Sequence, residues 1–249
     1  MSELVVRHNA GLASCLSVRL HEVVQFRTRE GRWPTSVDSS AQFAFYRSKP
    51  SEPIDQLLIQ EIPQEPPAFP CPEFDHEQQY ADYSGLDPLI FPVAAHYCHP
   101  SARVVEVAAE IAERMAGRTV VHYRGNDKVK ETPKVSYQAM FDAARRMGGP
   151  YWVLTDEENF RVAFNVLFPR SSSLEFLPTI KRNEATFVTG VPDERPSFAV
   201  RFLAALYAMR QAEKLVLTTG NTSLWAVLWR GHAQGVAQLR GPMHPPQFH

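Results

Sequence analysis

The sequence is most informative first through what is scarce in it. Only three cysteines occur in 249 residues, Cys15, Cys71 and Cys98. They are odd in number, far apart and outside any C-x-x-C pair, which excludes a disulfide framework and a zinc knuckle and leaves buried or idle thiols. No run approaches the roughly 18 consecutive apolar residues that span a bilayer. The amino terminus also lacks a basic region followed by an apolar run. These two absences predict a cytoplasmic protein without a transmembrane segment. An excess of either charge is missing as well: 26 basic side chains face 27 acidic ones. Nucleic acid is held through a concentrated basic face, so no nucleic-acid partner is expected and any phosphate contact is local. The G-x-G-x-x-G, G-x-x-x-x-G-K-[ST] and G-x-S-x-G signatures and the kinase set are absent, which removes those enzyme classes. His232, His244 and His249 lack metal-ligand spacing, and no metal is expected.

What remains is an ordinary globular composition, 44% hydrophobic and 21% charged. The length suits one large domain or two small ones. Glu3 to Arg7 reads as a short strand, followed by the loop Asn9-Ala10-Gly11. Leu16, Leu20, Val23, Val24 and Phe26 then recur at helical spacing before a stop at Gly31. Arg32 to Asp38 is expected as an edge strand because Pro34 lies within it. About half of the 20 prolines fall between Pro50 and Pro100, where a long irregular excursion with one strand at Leu57 to Ile62 is predicted. Val104, Val105, Ala108, Ile111, Ala112 and Met115 form a helical stripe ending at Gly117. The strand Thr119 to Tyr123 follows, then a polar turn, a helix from about Lys134 to Met147, the strand Tyr151 to Leu154, and a helix from Glu157 to about Leu167. A helix from Phe198 to Gln211, the strand Lys214 to Leu217 and a helix from Thr222 to about Arg230 complete the series. Such alternation predicts an α/β fold with a parallel sheet, whose strand ends carry the ligand.

Polar clusters follow several of those strands. In His122-Tyr123-Arg124-Gly125-Asn126-Asp127-Lys128-Val129-Lys130-Glu131, a guanidinium fork and an ammonium point charge suit a diphosphate, and Glu131 is a candidate base beside them. Gly220-Asn221-Thr222-Ser223 opens a helix, where free backbone donors favour an anion; the same hydroxyls can serve only as caps. Asp156, in Thr155-Asp156-Glu157-Glu158, can contact a ribose or a base, or simply complement a helix dipole. Gly11, beside Asn9, permits close backbone approach to a ligand or merely a turn.

On His122-Tyr123-Arg124 and Asp127-Lys128-Val129 the sequence resembles the fucosyltransferase superfamily, in particular its α-1,6 branch with the motif H-x-R-x-x-D-K-V. Leu154-Thr155-Asp156-Glu157 is similar to that family's strand ending in T-D-[DE]. Ala212-Glu213-Lys214-Leu215-Val216, leading to Thr222-Ser223, is similar to its A-D-x-L-V strand and paired-hydroxyl loop. Asn9-Ala10-Gly11-Leu12 resembles its first glycine loop. The resemblance implies a GT-B fold, two small Rossmann-like domains facing a cleft. The acceptor-side domain would span 1–117, with the Pro-rich excursion at 50–100, the donor domain 118–240, and a tail 241–249. It further implies an inverting glycosyltransferase that needs no cofactor and no metal, moving fucose from GDP-fucose to a glycan or glycolipid hydroxyl. Arg124, Lys128 and His122 would form the diphosphate site, completed by Asp156, Asn221, Thr222 and Ser223, with Asn9 and Gly11 from the first loop. Glu131 matches the family's catalytic glutamate, one residue nearer to Lys128 than usual, and Asp127 is the other candidate base. The helix that usually carries a donor-reading acid is here Val200-Arg201-Phe202-Leu203-Ala204, without one. Another donor such as UDP-xylose, or a non-catalytic nucleotide- or glycan-binding module, are therefore the alternatives. Neither anchor nor stem of the Golgi members is present, so a bacterial or viral soluble enzyme is the expected setting.

Overall fold

A computed structural model describes residues 3–60, 68, 70–125, 134–174 and 192–241. The chain begins with β1 (Leu4–Val5), the long helix α1 (Leu12–Glu30) and β2 (Val37–Asp38). Helices α2 (Ile54–Leu58), α3 (Ile90–Tyr97) and α4 (Ala102–Met115) lead into the main sheet. There follow β3 (Thr119–Tyr123), α5 (Tyr137–Met147), β4 (Tyr151–Thr155), α6 (Glu158–Leu167) and β5 (Ser172–Ser173). The last elements are α7 (Arg195–Ala208), β6 (Lys214–Thr218), α8 (Asn221–Arg230) and β7 (Val236–Leu239).

The main sheet is parallel throughout, in the order β5-β4-β3-β6-β7, with Val121 opposite both Val153 and Val216. From β3 the chain winds outward to β4 and β5, then returns to place β6 on the other side of β3. The β3–β6 boundary is thus the point where winding reverses, and a crevice opens at the carboxyl ends there. Successive side chains alternate between the two faces. Val121, Tyr123, Val153 and Val216 pack with Met140 and Phe141 of α5 and Phe160 and Phe164 of α6. Val120, Leu154, Leu215 and Leu217 join a larger core that also holds α1, α3, α4, α7 and α8. That core continues from Leu4 to Trp229, and α4 lies against α7.

Several expectations need correction. Leu57 to Ile62 is not a strand through Gln60: Ile54 and Leu58, one turn apart and fully buried, close the short helix α2, and only Ile59 makes an isolated bridge to Pro100. Residues 61 and 62 lie outside the described residues. The Pro-rich excursion contains helix α3 despite Pro92, because the first helical turn has N–H groups without intrahelical partners and loses nothing to proline. The strands expected at Glu3 to Arg7 and Arg32 to Asp38 pair over two residues only, Leu4 with Val37 and Val5 with Asp38. Helix α7 starts at Arg195, with Pro196 in its first turn, and beyond Ala208 tightens into a 3₁₀ turn through Gln211. β7 was not foreseen; its four half-buried residues lack a clear apolar alternation. No helix among the described residues is long and apolar enough to cross a membrane.

Candidate functional site

The alternation that buries Val121 and Tyr123 against α5 and α6 turns His122 to the opposite face, toward α8. There its Nδ1 lies 2.9 Å from Ser223 Oγ. Burial, reinforced by the positive charge of Arg124, lowers the imidazole pKa to about 3, so His122 is neutral at ordinary pH. A neutral ring beside a guanidinium adds hydrogen-bonding capacity without repelling it.

Arg124 follows β3 directly and is anchored through its backbone, whose N–H donates to Thr218 Oγ1 at the end of β6 (3.2 Å). Its side chain bridges the crevice. Nη1 donates to Thr222 Oγ1 at 3.5 Å, and Nε lies 4.0 Å from Asp156 Oδ2 at the end of β4. Asp156 Oδ1 in turn accepts from the Gly125 N–H at 3.2 Å. Gly125 is required for its lack of a side chain: a Cβ there would sit 2.6 Å from Tyr123 Cε1. The neighbouring Glu157 packs its Oε2 against Gly125, where a Cβ would also collide with it, while its Oε1 is held by Lys134 Nζ (3.2 Å) and the Tyr137 hydroxyl.

His122, Arg124, Thr155, Asp156 and Thr222 supply the polar wall of a pocket that opens to solvent. Its other wall is apolar, formed by Phe198, Phe202 and Leu206 at i, i+4 and i+8 of α7. A cation and a helix start facing an apolar slab suit a ligand with an anionic part and a flat part.

The structure brings together five of the residues singled out in the sequence: His122, Arg124, Asp156, Thr222 and Ser223. Asn221 is placed differently. Its Oδ1 accepts from Ser17 Oγ (2.6 Å) and its Nδ2 donates to Gln79 Oε1 (2.8 Å), so its side chain ties α8 to the amino-terminal half. Asn9 and Gly11 sit at the start of α1 and are not among the described residues lining the pocket. Gly11 has φ −58° and open space around a Cβ, so nothing local demands glycine there. Asp127, Lys128 and Glu131 lie outside the described residues. Sequence reasoning did not identify the Phe198–Phe202–Leu206 wall, although its four-residue spacing was visible. It also missed Tyr83, whose hydroxyl accepts from the Gly220 N–H (3.1 Å) and caps the strand-to-helix turn.

No protein-family model matches the chain, and no curated protein sequence does. Solved structures do. The fucosyltransferase NodZ from Bradyrhizobium is 12% identical with a TM-score of 0.56, over 91% of this chain and 92% of that one. The NodZ α-1,6-fucosyltransferase co-crystallized with GDP is 13% identical, also at 0.56, over 90% and 91%. The same enzyme soaked with GDP-fucose gives 13%, 0.56, and 91% of both chains. The chain therefore has the fold of these fucosyltransferases along nearly its whole length, and the resemblance read from the strand-end motifs holds at the level of fold.

Proposed function

We propose that the protein is an inverting glycosyltransferase that moves fucose from GDP-fucose to a carbohydrate hydroxyl, without a metal ion. The observation that carries this reading is Arg124 spanning the β3–β6 crevice, between Asp156 and the first turn of α8, beside the apolar wall of α7. The NodZ structures of the same fold, obtained with GDP and GDP-fucose, support the choice of donor.

In a single displacement the acceptor oxygen attacks the anomeric carbon while a carboxylate takes its proton, and the transition state is oxocarbenium-like. Glu131 or Asp127 is that base. The departing diphosphate gathers negative charge, which Arg124, Lys128 and the α8 amino terminus stabilise as it develops. Neutral His122, fixed by Ser223, holds the floor of the site and takes no part in proton transfer. The base of the nucleotide stacks on Phe198 and Phe202, with Asp156 close enough to accept from it or from the ribose.

The α7 stretch Val200–Ala204 carries no carboxylate, and Phe202 faces the pocket from it. This favours a second reading in which another nucleotide sugar, a UDP-sugar such as UDP-xylose, occupies the same pocket. Thermal melting with GDP, UDP and their sugars separates the two, because a ligand bound only by the native state raises the melting temperature. GDP and GDP-fucose are expected to stabilise the protein, and Arg124→Ala to weaken that effect at least about tenfold. Preferential stabilisation by UDP would select the second reading, and no effect of any nucleoside diphosphate would refute both. With donor saturating, whichever of Glu131→Gln and Asp127→Asn abolishes transfer identifies the base; full activity in both would leave the single-displacement scheme without its carboxylate.

A further inference from the structure

The Pro-rich excursion folds back onto α1 through the 3₁₀ turn His76–Tyr80. Where the two meet, His21 from α1 converges with Asp75 and His76, each offering a ligand atom within 4.8 Å of the others. His21 Nδ1 lies 3.7 Å from Asp75 Oδ2, and His76 Nδ1 lies 3.4 Å from Asp75 Oδ1. Both nitrogens are shielded from water, yet neither makes a hydrogen bond. A buried polar atom left unsatisfied costs free energy, and here two of them surround one carboxylate.

The surroundings prepare these groups as ligands. His76 Nε2 lies 3.2 Å from Glu77 Oε1, a carboxylate placed to favour the tautomer with its proton on Nε2, which leaves the Nδ1 lone pair for another partner. A carboxylate behind an imidazole fixes the tautomer in this way at metal centres. Asp75 is oriented by the Glu77 N–H, which donates to its Oδ1 at 2.8 Å. The two imidazoles meet edge to face, with centroids 5.3 Å apart. Asp75 and His76 are about half exposed, which gives an ion a route in and leaves room for water to complete its coordination. Two imidazoles and one carboxylate suit borderline divalent ions such as Zn²⁺ and are poor ligands for Mg²⁺ or Ca²⁺.

We propose that His21, Asp75 and His76 bind a divalent transition-metal ion that clamps the Pro-rich excursion to α1. The site is separate from the pocket beside β3, which none of the three residues lines. The ion acts on the fold rather than on sugar transfer. Through Gln79 on Asn221 and Tyr83 on Gly220, the clamped segment also braces the start of α8.

The test uses the full chain, stripped with a chelator and titrated with ZnCl₂ by calorimetry and by thermal melting. One high-affinity Zn²⁺ per chain and a rise in melting temperature are expected, with no such rise from MgCl₂. His21→Gln and His76→Gln should each weaken zinc binding at least about tenfold. His76 is partly exposed, so His76→Gln should melt like the wild type without metal, which separates lost binding from lost folding. Co²⁺ substitution adds a readout, since its visible ligand-field bands should vanish in His76→Gln. Zinc stabilisation that persists unchanged in the His21→Gln/His76→Gln double variant, or its absence from the wild type, overturns the proposal.

Discussion

At the scale of single residues, His122 shows how a buried group links the site to pH. Its folded pKa, about 3, lies far below the ordinary imidazole value of 6.5 because burial, aided by Arg124, disfavours the charged ring. Between those two values the unfolded chain takes up a proton that the native site excludes. The slope of stability against pH is then positive, so stability is lost as pH falls below about 6.5, and above it the residue contributes no pH dependence. Between pH 7 and pH 5.5 the loss amounts to roughly 1 kcal/mol. Urea unfolding of the wild type and His122→Asn at both values checks this. The wild type should lose about that much more than the variant, because the other histidines are common to both and cancel. Equal losses would mean that His122 takes up its proton in the folded state.

At the scale of elements, the site depends on how firmly α8 is started. Gly220 precedes it with φ 144°, a conformation that side chains disfavour, and both its N–H and its carbonyl meet the fully buried Tyr83 hydroxyl at about 3 Å. Tyr83→Phe would orphan the buried N–H and is expected to cost about 1–3 kcal/mol. It should also weaken GDP binding several-fold, since Thr222 and Ser223 ride on the turn it caps. Denaturant midpoints and a GDP titration measure the two effects, and an unchanged midpoint would remove Tyr83 as the cap. This contact also marks the limit of what the sequence reveals. β3, β4 and β6 are legible because strands buried on both faces of a parallel sheet read as near-continuous apolar runs such as Leu215–Leu217. The polar residues after them mark the strand ends, which is why Arg124, Asp156 and Thr222 were foreseen, while His122, inside β3, was singled out by the motif that runs on to Arg124. Tyr83 was not, because its partner lies 137 residues away and its own surroundings read as proline-rich coil. α2 and α3 were hidden for the same local reason. Asn221 was read as a ligand contact because its bonds to Ser17 and Gln79 are equally remote.

At the scale of the whole molecule, the residues before and after 117 share one apolar core. Trp225 is fully buried and donates from Nε1 to Ser17 Oγ of α1 (2.9 Å). Trp229 donates from Nε1 to the Cys98 carbonyl at the end of α3 (3.1 Å). Each large side chain in such a core contributes about 1.5–3 kcal/mol through burial, and the indole N–H groups are satisfied only across the 117 boundary. Removing residues 3–117 would therefore expose the faces of α7 and α8 that α4, α1 and α3 cover, and would orphan both indoles. Residues 118–241 expressed alone are expected to remain unfolded by near-ultraviolet circular dichroism. The intact chain should unfold in one calorimetric transition, with calorimetric and van't Hoff enthalpies in agreement. GDP bound beside β3 should then shift that entire transition upward, because stabilising one part of a single cooperative unit stabilises all of it. Two separated transitions, only the later or earlier of which responded to GDP, would instead show that the halves fold independently and that the shared core contributes little to their coupling.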